Sequence, residues 1–485
     1  MRRYEKWLLL TALLLVMVAA LIAALCVPAA AVAWEDGEPA VCLLLRVGAA
    51  LNLPLLFFGL TVGWGAVWLA WLLTRKKVAW HRVCFAILLS TGLMLVLTRP
   101  AMPLSTWDEG VHREKILLLA GLESVTWADY LFTYTTWFFG YVPYVLGTVI
   151  GRLLCLGDGW IFRMANMLAV LVQAAVSALA VKHAPRYKLT FLTLAVLPTC
   201  VWLASSMSYD GTVVSYVLLG AALLLEELDA PNRRLTGVRA ITLMAVLCLG
   251  TLAKPAYSLL ILMVWLLPRT KFASGRRSAA FRAFAVLAMV MCLLSLLMGA
   301  YDDLMAGDPR TDDTDSAGQL AYVLNNPGAA LGVLGRYILR EVPTLYGQAA
   351  DFWCGMGANH MVSALLLAVV ALSTLCTAGE AEGGLCLTAG RRAALAVLGF
   401  FPVLALIGSQ YIVTTPPGMD AVQGMQPRYT LPVLVFPALA LAAPCGLRRR
   451  WSPAAGGMAT ALAVGLFLLN VRNGWQWVMA PCYGV

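Results

Sequence analysis

Apolar stretches of membrane-spanning character recur from one end of this chain to the other, and they settle its class before any single residue is weighed. A spanning helix needs about 20 mainly apolar residues. Thirteen segments read as crossings, at roughly 7–27, 48–73, 82–98, 161–181, 189–206, 212–226, 240–252, 256–268, 281–300, 361–378, 393–413, 431–447 and 454–470. Hydrophobic residues make up 61% of the chain and charged residues 12%, against about half and about a quarter in soluble domains. No soluble fold can bury that much apolar surface, so soluble enzymes and nucleic-acid binders are excluded. The expectation is an all-α, polytopic transmembrane helical bundle.

The net charge of +10 reports orientation rather than polyanion binding, because Lys and Arg collect in short cytoplasmic loops. Basic turns occur at Arg75, Lys76, Lys77 and Arg82, at Lys182, Arg186 and Lys188, and at Arg233, Arg234 and Arg239. They continue at Arg269, Lys271, Arg276, Arg277 and Arg282, at Arg391 and Arg392, and at Arg448 to Arg450. The alternate loops, at Glu35 to Glu38, around Asp108 and from Asp302 to Asp315, are acidic or neutral. One parity fits throughout, with the N-terminus inside and the C-terminus outside. The first segment follows Met1-Arg2-Arg3 and reads as a retained helix, with no small-residue cleavage site leading to a soluble domain.

Two segments test that parity. A single helix over 240–268 would put the basic run 269–282 outside, whereas two short helices turning at Lys254-Pro255 keep it inside. Proline is disfavoured within a helix, so a hairpin is expected. Residues 137–156 are apolar too, and they are assigned to a juxtamembrane or re-entrant helix for the same reason. The outer loops 99–160 and 301–360 are long, and long loops in compact proteins usually carry function. The twelve cysteines show no C-x-x-C; most sit in apolar runs as small buried hydrophobes. Cys354 and Cys482 fall outside the membrane, where a disulfide between them is one alternative. No Walker A sequence is present.

Chemistry-bearing residues gather on the outer side. Asp108 and Glu109 are adjacent carboxylates with His112 one helical turn beyond Asp108, a set suited to acid–base work or metal binding. Equally, Ser105 or Thr106 can cap a short helix whose positive end favours Asp108 and Glu109, with His112 a solvated loop residue. Lys254 lies within an apolar run, where a cation costs about 2.5–3.5 kcal/mol on insertion scales; it either faces a cavity, as a phosphate ligand would, or snorkels outward. Asp210 sits at an outer helix junction and either lines that cavity or ends a turn. Arg428 and Tyr429 precede an apolar helix, suited to phosphate and to stacking on a sugar or isoprenoid, or to an ordinary interfacial belt. Asp308, Asp312, Asp313 and Asp315 lack EF-hand spacing and read as a solvated acidic loop. His360 also lies outside.

Several motifs, in order and on one side, carry a resemblance. They are Asp108-Glu109 after a membrane helix, Arg163 opening a helix after Leu156-Gly157-Asp158-Gly159-Trp160, Ser205-Ser206-Met207-Ser208-Tyr209-Asp210, Leu252-Ala253-Lys254-Pro255, and Gln426-Pro427-Arg428-Tyr429-Thr430-Leu431-Pro432. Over about residues 95–445 the chain resembles the GT-C class of polytopic membrane glycosyltransferases. More narrowly it resembles a bacterial GT-C-like family of membrane proteins with an Asp-Glu-x-x-His signature. The resemblance implies a two-helix N-terminal extension at 1–80, since the class has its acidic motif after the first helix, and a GT-C-like domain at 81–485.

The implied location is the bacterial cytoplasmic membrane. The implied reaction moves a sugar from a polyprenyl-phosphate carrier to an extracytoplasmic glycan, lipid or protein acceptor. In an inverting transfer Asp108 would take the acceptor proton, with Glu109 orienting it, binding acceptor or ligating a metal ion. His112, Asp210, Lys254, Arg428 and Tyr429 would bind substrate. Basic groups, helix N-termini or a divalent cation stabilise the departing phosphate. The alternative from another class is a transporter or flippase of a lipid-linked glycan, for which paired interrupted helices are the signature.

Overall fold

The computed structural model describes residues 3–26, 52–99, 109–121, 138–230, 232–306, 314–353, 357–377, 387–441 and 452–479. Helices dominate, and the one strand pairing among these residues is a two-residue antiparallel bridge, Phe352–Trp353 with Gly357–Ala358. Seven helices are long and apolar enough to cross a membrane: Glu5–Cys26, Leu53–Leu73, Trp80–Thr98, Asp158–His183, Tyr209–Asp229, Gly275–Leu294 and Ala389–Val413. An eighth candidate is the pair Lys188–Ala195 and Pro198–Ser205, bent by 54°.

That count is lower than the thirteen crossings expected from apolarity, because several apolar runs are not wound as long single helices. The run at 361–378 belongs to a helix whose apolar part, His360–Leu375, falls among the shorter ones. The run at 431–447 is entered through a 3₁₀ helix, Pro427–Val433, and a six-residue α-helix, Val435–Ala440. Prolines at 427, 432 and 437 withhold backbone donors at intervals there, which prevents a continuous α-helix. The last run lies in the helix Ser452–Gly474.

The expected hairpin at Lys254-Pro255 is present. Its arms are the α-helix Gly237–Leu252 and the 3₁₀ helix Pro255–Leu266. The Leu235 N–H donates to the Lys271 carbonyl at 2.8 Å, so the chain enters and leaves the hairpin at one level. Lys271 Nζ also reaches the Ala230 carbonyl (2.7 Å) and Glu227 (2.6 Å), near the end of Tyr209–Asp229. Lys254, at the tip, meets Asp210 at the start of that same helix. The basic stretches 233–239 and 269–282 therefore flank one end of the bundle.

The helix expected to be juxtamembrane or re-entrant is Phe138–Leu153. It runs antiparallel to the first half of Asp158–His183, with glycines at the contact. A Cβ on Gly147 would lie 2.6 Å from Ala165 Cα, and one on Gly151 would lie 3.1 Å from Ile161 Cα. Small residues allow this approach, as in membrane helix pairs generally.

The bend at Val196-Leu197 has its own support. Breaking a helix inside a bundle frees a carbonyl that must find a donor. Asn470 Nδ2 donates to Val196 O at 3.0 Å. Just beyond the bend, the Thr199 hydroxyl donates to Ala349 O and accepts from the Phe352 N–H, both at 2.7 Å. The apolar core surrounds this bend, with Trp202, Phe191, Tyr257 and Phe436 fully buried. At the periphery the Glu5–Cys26 helix leaves Trp7, Leu8 and Leu15 more than half exposed, a face suited to lipid.

Candidate functional site

Asp210 opens the Tyr209–Asp229 helix, where Ser208 caps the end by accepting from the Asp210 N–H at 3.2 Å. Its carboxylate is buried and bracketed by two cations. Lys254 Nζ lies 3.0 Å from Oδ1 and Arg428 Nε lies 3.3 Å from Oδ2. The break between the hairpin arms puts Lys254 there, and the Pro427–Val433 3₁₀ helix delivers Arg428. Lys254 Nζ also stands 3.5 Å from the centre of the Tyr429 ring, a cation–π contact. Tyr257, on the hairpin, donates its hydroxyl to the Tyr429 carbonyl at 2.6 Å and ties the two 3₁₀ segments together. Lys254 is thus held inward on a carboxylate and an aromatic face, with 12% of its side chain exposed, and does not extend into solvent.

Glu109 is the first residue of the Glu109–Leu119 helix. It accepts from Arg99 at 2.8 Å and from the Met207 N–H at 3.0 Å. Arg99 also donates to the Ser205 carbonyl, at 3.1 Å. This ion pair ties the helix to the Ser205–Ser208 turn that precedes Asp210. One turn on, His112 hydrogen-bonds the Tyr141 hydroxyl, and its ring packs edge-on against Tyr209 at 5.1 Å. Tyr144 donates to the Ser206 and Ser208 carbonyls, both at 2.9 Å, and receives Gln173 Nε2 at 3.3 Å. Arg163 Nη1 donates to Val96 O and Arg99 O, fixing the end of the Trp80–Thr98 helix.

Six residues singled out from the sequence, Glu109, His112, Asp210, Lys254, Arg428 and Tyr429, thus meet at one end of the bundle. The seventh, Asp108, precedes Glu109 and lies outside the described residues, as do Cys354, Cys482, Asp308, Asp312 and Asp313. Asp315 caps the Ser316–Asn325 helix by accepting from the Gly318 N–H at 2.9 Å. His360 opens an α-helix and is exposed. Among the described residues no group of three or more His, Cys, Asp and Glu side chains converges as a metal site would.

Sequence reasoning missed Arg99, Tyr141, Tyr144, Gln173 and Tyr257. Arg99 had a usable signal, a cation at the end of an apolar helix ten residues before a carboxylate. The tyrosines had none, since Tyr is common in both membrane cores and interfaces. Gly140 was missed as well: a Cβ there would lie 2.6 Å from Tyr209 Cβ and 2.8 Å from Ala253 Cβ.

The arrangement suits an anionic ligand flanked by aromatic surface. Lys254 and Arg428 set two basic side chains against the one carboxylate of Asp210. Arg offers a planar fork to phosphate oxygens and Lys a compact point charge. Tyrosines 209 and 429 supply faces that pack on apolar or sugar groups while keeping a polar tip.

The chain belongs to a family of membrane proteins, described as predicted membrane protein (DUF2142), which matches residues 133–436. The matched region holds Asp210, Lys254, Arg428 and Tyr429, while Arg99, Glu109 and His112 precede it. No curated protein and no solved structure matches the chain.

Proposed function

We propose that the protein is a GT-C-like glycosyltransferase of the bacterial cytoplasmic membrane, using a polyprenyl-phosphate sugar as donor and an extracytoplasmic glycan, lipid or protein as acceptor. The observation that carries this reading is the convergence of Lys254 and Arg428 on Asp210, at the end of the bundle where Glu109 begins its helix. In the reaction the acceptor hydroxyl oxygen attacks the anomeric carbon as the bond from that carbon to the carrier phosphate breaks. The electron pair leaves with the phosphate, where Lys254 and Arg428 stabilise the added charge. The hydroxyl proton passes to Asp108 as general base. Glu109, engaged by Arg99 and the Met207 N–H, is better suited to hold the motif in place than to accept that proton. His112, Tyr209 and Tyr429 form the flanking surface for sugar or isoprenoid. The proposal keeps the thirteen-crossing arrangement with the site outside, the short hairpin arms and broken helices counting as crossings.

The test is envelope glycan composition in a deletion strain complemented with each variant at matched expression. Asp108→Asn keeps shape and hydrogen bonding but removes the base, and is expected to fail; full complementation by it would remove the catalytic assignment. A second reading, transport of a lipid-linked glycan, draws support from the two interrupted apolar segments, at Val196-Leu197 and at Lys254. Accumulation of the unflipped lipid-linked glycan on the inner leaflet of the deletion strain would favour it over transfer.

A further inference from the structure

The helix Pro327–Arg340 is held where one of the long apolar helices ends. The Ser316 hydroxyl, on the short helix Ser316–Asn325 just before it, donates to the carbonyl of Val413 at 3.5 Å. Val413 is the last residue of Ala389–Val413, a helix that carries Arg391 and Arg392 at its other end. Two more contacts tie the pair of short helices to the segment after Val413. Gln319 accepts from the Gly418 N–H at 2.9 Å, and Arg336 pairs with Asp420. Pro327–Arg340 therefore stands at the level where a helix long enough to cross a membrane comes to its end.

Successive residues of an α-helix turn by about 100°, which divides the surface of Pro327–Arg340 into arcs. Ala330 and Val333 are buried against the bundle. On the opposite side Leu331 and Leu339 lie about 80° apart. They are 68% and 79% exposed, as far out as Leu8 and Leu15 on the peripheral helix Glu5–Cys26, both 65%. Arg336 and Arg340, also exposed, follow about 60° and 100° beyond Leu339. The flank on the other side of the leucines carries Leu334 and Ile338, which are apolar and half-buried on the core.

A face that docks on another protein has an apolar centre with a polar rim around it. Here the cations occupy one flank only, and the other stays apolar as it turns into the bundle. An apolar arc bounded on one side by arginines is the pattern of a helix lying in the boundary between lipid and water. We infer that Pro327–Arg340 lies along the bilayer surface at the edge of the bundle. Its leucine arc enters the acyl boundary, and Arg340 turns to the headgroup phosphates while Arg336 holds Asp420. The partner is the lipid surface itself, and the inference is independent of the reading given to the Asp210 site. Seating this helix also steadies the segment tied to it at Gly418 and Asp420, which leads into Arg428.

The test places a nitroxide label at Leu331→Cys, Leu339→Cys or Ala329→Cys in the full-length protein without its native cysteines. Each is reconstituted in vesicles of phosphatidylglycerol and phosphatidylcholine. All three positions are exposed, so the label displaces no core contact. Spin relaxation then compares collisions with oxygen, which concentrates in the acyl region, and with a water-soluble nickel chelate. The ratio of oxygen to nickel collisions is expected to exceed one at 331 and 339. At 329, which lies on the arginine flank about 80° beyond Leu339, it should fall below one. A ratio below one at both leucine positions would return the face to water and overturn the inference. Exclusion of both reagents at 331 and 339 would overturn it too, by assigning the face to a second copy of the chain or another protein.

Discussion

Arg99 donates to Glu109 at 2.8 Å, with both side chains more than nine-tenths buried. The pair closes the end of the Trp80–Thr98 helix onto the start of the Glu109–Leu119 helix.

Glu109→Gln should therefore act on stability, and Asp108→Asn on rate. Removing one partner of a buried ion pair costs about 3–5 kcal/mol, so Glu109→Gln is expected to lower the melting temperature in detergent. Asp108→Asn should keep the parent melting temperature and lose about 100- to 10,000-fold in transfer, the usual value of a positioned base. A destabilised Asp108→Asn with normal specific activity would reverse the assignment.

Asp210 holds two cations, so Asp210→Asn removes the carboxylate charge shared by Lys254 and Arg428. A loss of about 3–5 kcal/mol is expected. Asp210→Asn combined with Lys254→Met should recover part of it, with a coupling of about 0.5–3 kcal/mol in a double-mutant cycle. Strict additivity in thermal unfolding would argue against the ion pair.

Gly140→Val drives side-chain atoms into Tyr209 and Ala253. Overpacking of this kind costs about 1–3 kcal/mol. Because the displaced residues flank Asp210 and Lys254, donor KM should rise more than the stability loss accounts for. Unchanged KM in a folded variant would separate this contact from the site.

Asn470→Leu removes the donor to Val196 O at the helix bend, and an orphaned buried carbonyl costs about 1–3 kcal/mol. Thermal unfolding should show that loss, with Asn470→Gln milder than Asn470→Leu.

Topology is open to labelling. In a background without native cysteines, Arg234→Cys and Arg276→Cys should react from one side of the membrane, and Gly110→Cys and Asn326→Cys from the other. Reaction of 234 and 276 from opposite sides would replace the hairpin with a single crossing.

Proline explains much of what the sequence did and did not disclose. The turn at Lys254 was legible because Pro255 and a lone cation interrupt an apolar run together. The bend at Val196-Leu197 was not, although Pro198 follows it, because the donor that satisfies it comes from Asn470, 274 positions away. The described residues hold fewer long apolar helices than the sequence has apolar runs for a related reason, since apolarity reports burial in lipid or protein but not whether a segment is wound as one long helix. Within the site, Asp210, Lys254 and Arg428 stood out as charges in apolar surroundings. Their mutual pairing did not, because the contacts join the Tyr209–Asp229 helix, the hairpin tip and a 3₁₀ helix far along the chain.

The hairpin arms contain 16 and 12 residues, yet they cover the same span between Lys271 and Lys254. At a rise of about 1.5 Å per α-helical residue and about 2.0 Å per 3₁₀ residue, each reaches about 24 Å. The tighter, more extended winding of Pro255–Leu266 acts as a gauge: rewound as an α-helix, the same twelve residues would fall about 6 Å short. Lys254 and Asp210 would then stand a full helical turn apart. The height of one ammonium group is set by the pitch of the arm that follows it, so length changes in that arm should be tolerated less well than in its α-helical partner.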